Sequence, residues 1–237
     1  MDGRIAGGRG PVRDGRAPAP RPRWRRGLSV LRWGTVAGLL ALLLLDLAFP
    51  PPLPEARDHA TLVTAHDGAP LRAFADADGV WRHPASEATV SPLYIEALLA
   101  YEDRWFRWHP GVNPVALARA AWQAVRSGRI VSGGSTLTMQ VARILEPHPR
   151  TLAGKARQML RALQLEAHLS KDDILTLYLE RAPFGGTIEG VEAASWAYLG
   201  KPAARLSHAE AALLAVLPQA PTRLRPDRAP EAARRAR

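Results

Sequence analysis

The feature that most constrains this chain is an apolar run near its start. Residues 33–45 are apolar, Gly or Thr without interruption, and the run widens to 28–49 if Arg32 and Asp46 sit near two interfaces. A membrane-spanning helix needs about 20 such residues, and long side chains at its ends can reach the headgroups. The flanks differ in charge. Arg21, Arg23, Arg25 and Arg26 precede the run and Pro50-Pro51-Pro52 follows it, so the arginine side should stay cytoplasmic and everything after Pro50 should be translocated. No small-x-small cleavage pattern follows Leu45, which disfavours the alternative of a cleaved signal peptide.

A net charge of +10 invites a nucleic-acid partner, but its distribution argues otherwise. Residues 1–26 hold eight arginines against Asp2 and Asp14, and residues 223–237 hold six against Asp227 and Glu231. These two ends account for the whole excess and leave residues 27–222 neutral, so no polyanion-binding domain is expected. The chain has no cysteine, which removes disulfides and thiolate metal sites. The Gly-, Pro- and Arg-rich tail over 1–27 reads as disordered, followed by a membrane helix over 28–49.

Beyond the run, residues 50–90 read as a linker with a small β element. Its strands are TLVTAH and PLRAF, with turns at Asp67-Gly68 and Asp78-Gly79. From Ser91 on, helix signals dominate. Ser91-Pro92 and Asn113-Pro114 set a capping side chain before a proline, and Gly128 stops the second helix. Thr151 begins a helix through His168, Ser170 with Asp173 opens another, and Ser207 with Glu210 forms a capping box. The architecture is mainly α.

Three clusters can carry chemistry. Glu102 and Asp103 stand where a helix gives way to a Pro/Gly turn, beside Trp105, Phe106 and Trp108. That setting can desolvate one carboxylate into a base, although acid pairs at helix ends are also ordinary solvated features. His109 suits a structural hydrogen bond better than a ligand role. Ser132-Gly133-Gly134-Ser135-Thr136 leads into Leu137-Thr138-Met139-Gln140, where small residues and hydroxyls could embrace an anion or sugar, or simply form a flexible loop. No lysine follows at the spacing of a nucleotide P-loop. Arg143, Arg150, Lys155, Arg157 and Arg161 face only Glu146 in charge count. That is either a diphosphate site near the helix start at Thr151 or a solvated basic face. Lys155 and Gln158 share a helix face, whereas Glu166 lies about 12 Å further along and reads as a packing residue. Arg181 to Gly190, RAPFGGTIEG, either walls a cleft or turns the chain.

Together, EDRWFRWHPGVNP, GGSTLTMQVAR and SKDDILTLYLERAPFGGTIEGVEAASWAYLGK resemble the motifs of the peptidoglycan glycosyltransferases, glycosyltransferase family 51. Within it the chain is most similar to the N-terminal part of class A penicillin-binding proteins of the 1C type, through FPPPLP, DADGVWRHP and LPQAPTRLRPDR. The resemblance implies a lysozyme-like, mainly α glycosyltransferase domain over 91–228, with 229–237 beginning a truncated C-terminal region. It implies a catalytic unit on the periplasmic side of the bacterial inner membrane, held by a single span and acting on lipid II and the growing glycan strand. Glu102 would take the proton from the acceptor hydroxyl, with Gln158 at the second catalytic position. Asp103, Ser135, Thr136 and Gln140 would shape the substrate pocket, and Arg143, Arg150, Lys155 and Arg157 would hold the diphosphate. It leaves room for a divalent cation (Mg or Mn) at the diphosphate, for other cell-wall synthases as partners, and for no other cofactor. Three departures stand out: Gln158 where the family usually has a glutamate, Met139 where it has glutamine, and Glu180 where it has asparagine. The absence of Ser-x-x-Lys and Lys-Thr-Gly patterns leads us to expect no transpeptidase domain in this sequence. A lysozyme-like hydrolase and a weakly active lipid II-binding scaffold are the competing readings.

Overall fold

Helix α1, Arg23–Ala48, is 26 residues long, and its side chains Leu39, Leu40, Leu43, Leu44 and Leu47 are exposed. The computed structural model describes residues 23–51, 53, 60–66, 70–128 and 134–236. The expected tail is therefore outside the described residues up to 22, and residues 23–27 belong to the helix instead. The expected span over 28–49 is not shown: among the described residues no helix is long and apolar enough to cross a membrane. Gly34, Gly38, Arg32 and Asp46 thin the apolar density of α1, and its side chains before Arg32 and at Leu42 and Leu45 are not described. The chain divides into two compact units, Met1–Phe49 and Pro50–Arg237.

The second unit opens with an antiparallel pair, β1 (Thr61–Thr64) and β2 (Pro70–Phe74), in the register Leu62 to Ala73 and Val63 to Arg72. The expected Asp67-Gly68 turn between them lies outside the described residues. The Asp78-Gly79 turn is present, tightened by Asp76, whose Oδ1 accepts from the N–H groups of Asp78 and Val80. A three-stranded sheet then joins distant segments: β3 (Trp81–Arg82) runs parallel to β5 (Ile188–Glu189), and β4 (Pro183–Gly185) pairs antiparallel with β5. RAPFGGTIEG thus does more than turn the chain. It supplies a hairpin that Arg82 clamps by ion pairs to Glu189 (2.7 Å) and Asp76 (3.3 Å).

The helices are α2 (Pro92–Glu102), α3 (Pro114–Ser127), α4 (Leu137–Leu145), α5 (Leu152–His168), α6 (Lys171–Arg181), α7 (Val191–Leu199), α8 (His208–Val216) and α9 (Pro230–Ala236). The caps act mostly as their spacing implies. Asn113 Oδ1 accepts from Ala116 N–H, Thr151 Oγ1 from Gly154 N–H, and Ser170 and Ser207 exchange hydrogen bonds with or receive support from Asp173 and Glu210. Ser91 is the exception: it occupies the cap position, but its hydroxyl turns to the carbonyl of Leu206. Helix α2 packs on α8, and α4 on α5 and α6. Tyr94, Leu98, Leu137, Leu165, Tyr178 and Leu214 from these helices close one core, which holds both α2 and α4 rigidly beneath the site.

Candidate active site

Glu102 is the last residue of α2, and Asp103 turns out of the helix at φ −159°, ψ 79°, so the two adjacent carboxylates part company. Asp103 folds inward. It is 7% exposed, accepts from Leu137 N–H at 2.9 Å, and meets His109 Nε2 at 2.9 Å. His109 is the structural histidine its surroundings suggested, and Asp103, expected at the substrate, lines the same hollow as Glu102 while tying the turn to the start of α4. Glu102 stays at the surface of the cleft, where its Oε2 accepts from Gln140 Nε2 at 2.6 Å. Burial pushes its carboxyl above the ordinary glutamate range, the amides of Gln140 and Gln219 offset part of this, and Asp103 adds to it. The flanking aromatics are not its cover: Phe106 is in the core, while Trp105 and Trp108 are 60% and 83% exposed.

The loop of small residues places α4. Ser132 and Gly133 lie outside the described residues. Thr136 caps α4 by accepting from Met139 N–H at 3.1 Å and donates to the carbonyl of Gly111 at 2.5 Å. Gly111 sits at φ 83°, and a Cβ there would lie 2.7 Å from the carbonyl of Ala162, so glycine alone lets the turn rest on α5. The hydroxyl of Thr136 is therefore committed to structure. Ser135 is different, because its hydroxyl receives Lys155 Nζ at 2.5 Å on the wall of the cleft.

Two hollows flank the Glu102–Gln140 pair. The first, about 700 Å³, is lined by Glu102, Ser135, Trp105, Trp108, Arg104 and Arg119. The second, about 360 Å³, is lined by Gln140, Arg143, His148, Arg150, Arg181 and Glu189. Gln140 thus lines one hollow and holds the carboxylate of the other. Lys155 also connects them. It reaches Ser135 beside the first, and its ammonium is held below the usual lysine range by burial and by nearby Arg143 of the second. Arg143 and Arg150 line the second hollow, whereas Arg157 is exposed and ion-paired to Glu146, and the more buried Arg161 pairs with the same carboxylate. Charge counting over 143–161 missed Arg104, Arg119 and Arg181, which lie outside that run and reach the cleft through the fold.

Gln158 is 5% exposed, donates from Nε2 to the carbonyl of Met139 at 2.5 Å, and accepts from Lys155 Nζ at 3.2 Å. Its amide does what an ionised carboxylate could not: it donates a hydrogen bond to one neighbour and accepts one from the other. Glu166 is the packing residue expected, bridging Thr138 and Lys171, each at 2.6 Å. Among the described residues no three His, Asp or Glu side chains converge as a metal site would require.

The family model described as Transglycosylase matches residues 67–237. Over 210 residues the chain is 64% identical to penicillin-binding protein 1C of Escherichia coli (strain K12), covering 86% of this chain and 27% of that protein. It is 42% identical over 165 residues to penicillin-binding protein 1A of Pseudomonas aeruginosa, covering 69% of this chain and 20% of that protein. It is 39% identical over 191 residues to penicillin-binding protein 1A of Aquifex aeolicus, covering 80% and 25%. The chain thus spans about a fifth to a quarter of the length of these relatives.

Proposed function

The chain belongs to the transglycosylase family, the peptidoglycan glycosyltransferases of cell-wall synthesis, and on that premise we propose that it polymerises lipid II into glycan strands with Glu102 as the base. The observation that supports this reading is the position of Glu102, a half-buried carboxylate that lines the first hollow and is held by Gln140, which itself lines the second, cation-bearing hollow. In the step, Glu102 accepts the proton of the acceptor sugar's hydroxyl as that oxygen bonds to the donor's anomeric carbon. The bond from that carbon to the diphosphate breaks with inversion, and the departing charge falls to Arg143, Arg150 and Lys155. Arg157, expected with them, is exposed and ion-paired to Glu146. A divalent cation (Mg or Mn) at the diphosphate would be held largely by the substrate's own oxygens, since among the described residues no three His, Asp or Glu side chains converge, and no step is routed through it.

A hydrolase needs two free carboxylates about the bond, and the remaining candidates are taken: Asp103 by Leu137 and His109, Glu189 by Arg82. One observation favours the scaffold reading, in which the chain holds lipid II for other synthases: the second acid position is filled by the structural amide of Gln158. For the membrane, we read α1 as a single-pass inner-membrane anchor with its arginine side cytoplasmic and the catalytic unit periplasmic. Its exposed leucines support this, as does the display of Trp105, Trp108 and Trp122, a residue type that favours headgroup interfaces.

Purified chain incubated with labelled lipid II in detergent separates these readings. Polymer is expected from the wild type and none from Glu102→Gln, with lipid II binding retained in both. Undiminished polymer from Glu102→Gln would remove Glu102 from the mechanism, and binding without product in the wild type would leave the scaffold.

A further inference from the structure

The hydrogen bond from Gln140 satisfies only one oxygen of Glu102. Its Oε1 is buried and meets no well-aligned donor among the described residues. A buried carboxylate oxygen left alone is costly, so a donor should stand ready for it. The groups that bear on Glu102 from the elements packed around it are Asp103 at the end of α2, Tyr94 and Tyr101 of α2, Tyr178 of α6, Gln140 of α4 and Gln219 just beyond α8. Asp103 carries no donor when ionised, and the hydroxyls of Tyr94 and Tyr178, though buried, make no hydrogen bond to Glu102 among the described residues. Tyr101, adjacent to Glu102, spends its hydroxyl on Gln219, donating to Oε1 of that side chain at 3.0 Å.

That last bond determines which way the Gln219 amide faces. A primary amide holds its oxygen and its NH2 in one plane, pointing to opposite sides of the Cγ–Cδ bond. With the oxygen fastened to Tyr101, the NH2 is the end left for Glu102, and the reverse orientation would set an oxygen against a carboxylate. We infer that Gln219, turned by Tyr101, is a positioning residue for Glu102, the second of two amides that grip the carboxylate. The inference rests on the reading of Glu102 as the base. It gives the segment LPQAP after α8 a task at the site, and it explains why packing α8 onto α2 matters to chemistry: this contact brings residue 219 to residue 102.

Gln219 is exposed and Tyr101 is about half exposed, so substitutions at both should leave the fold intact. The test compares Gln219→Leu, Tyr101→Phe and the double variant for polymer formation from lipid II across pH. Loss of the amide donor leaves the ionised carboxylate less favoured, so the acidic limb of the rate profile should move to higher pH in Gln219→Leu. Its kcat should fall roughly 10-fold, the effect of one charge-assisted hydrogen bond, with KM within about 2-fold. Tyr101→Phe should move the limb the same way but less, and the double variant should be no worse than Gln219→Leu, because Tyr101 acts only through Gln219. An unmoved limb in Gln219→Leu, or additive losses in the double variant, overturns the inference while Glu102→Gln remains inactive. Turnover by Glu102→Gln would instead take down the base reading itself, which separates the two failures.

Discussion

Glu102 and Asp103 share a peptide bond but occupy different environments, and their contrast decides the chemistry at the residue scale. Asp103 is a brace. Replacing it by Ala strands the Leu137 N–H and His109 and should cost about 1–3 kcal/mol, seen as a lowered urea midpoint, while Asp103→Asn keeps an acceptor for Leu137 and should lose less. Equal loss in the two variants would argue that the charge, and not the hydrogen bond to Leu137, is what the turn requires. Glu102 carries the opposite trade. Its pKa in the folded chain is raised, so its contribution to stability is present below the unfolded glutamate value, about 4.3, and is lost as pH rises through the folded one. Glu102→Gln removes that ionisation and should melt no lower than the wild type at pH 7, with any advantage shrinking toward pH 4. A clear drop in melting temperature at pH 7 would mean that the ionised carboxylate holds the fold together.

At the scale of the element, α4 is the piece on which the site depends, because it carries Gln140 and Arg143 on one side and Val141 and Ala142 in the core. Its start is anchored by one hydroxyl. Thr136→Ala removes the cap and the hold on Gly111, and should cost about 1–2 kcal/mol by chemical denaturation, whereas Thr136→Ser should recover most of it. The hairpin β4–β5 depends on a different device. Gly190 closes it at φ 82°, where a Cβ would lie 2.5 Å from the carbonyl of Glu180, so Gly190→Ala must displace the hairpin that walls the second hollow. Its signature would be a raised KM for lipid II together with lowered stability, and an unchanged KM would detach the hairpin from substrate binding.

The whole molecule is two compact units with unequal charge: the excess lies at the chain ends, while the catalytic unit gathers its cations locally. A chain of residues 50–237 should therefore fold by itself, unfold in one transition and polymerise lipid II in detergent. Lacking α1, it should float with anionic vesicles much less than the full chain does. Equal flotation of the two would transfer the anchoring role from α1 to the exposed tryptophans of the catalytic unit.

Much of this could be read before any coordinates. Capping residues, turn glycines and the period of apolar side chains are local, acting over three or four residues, and so the starts of α2, α3, α5, α6 and α8, the turn at Asp78-Gly79 and the candidacy of Glu102 are written in the chain. Family motifs extended that to roles for Ser135, Gln140, Arg143, Arg150 and Lys155. Tertiary structure alone decided which candidates meet. It buried Asp103 and Thr136 in structural bonds, drew Arg157 away to Glu146, and brought Arg104, Arg119, Arg181 and Gln219 to the cleft. Those outcomes depend on packing between segments far apart in the chain, where burial and geometry choose each partner, and no local pattern of residues records that choice.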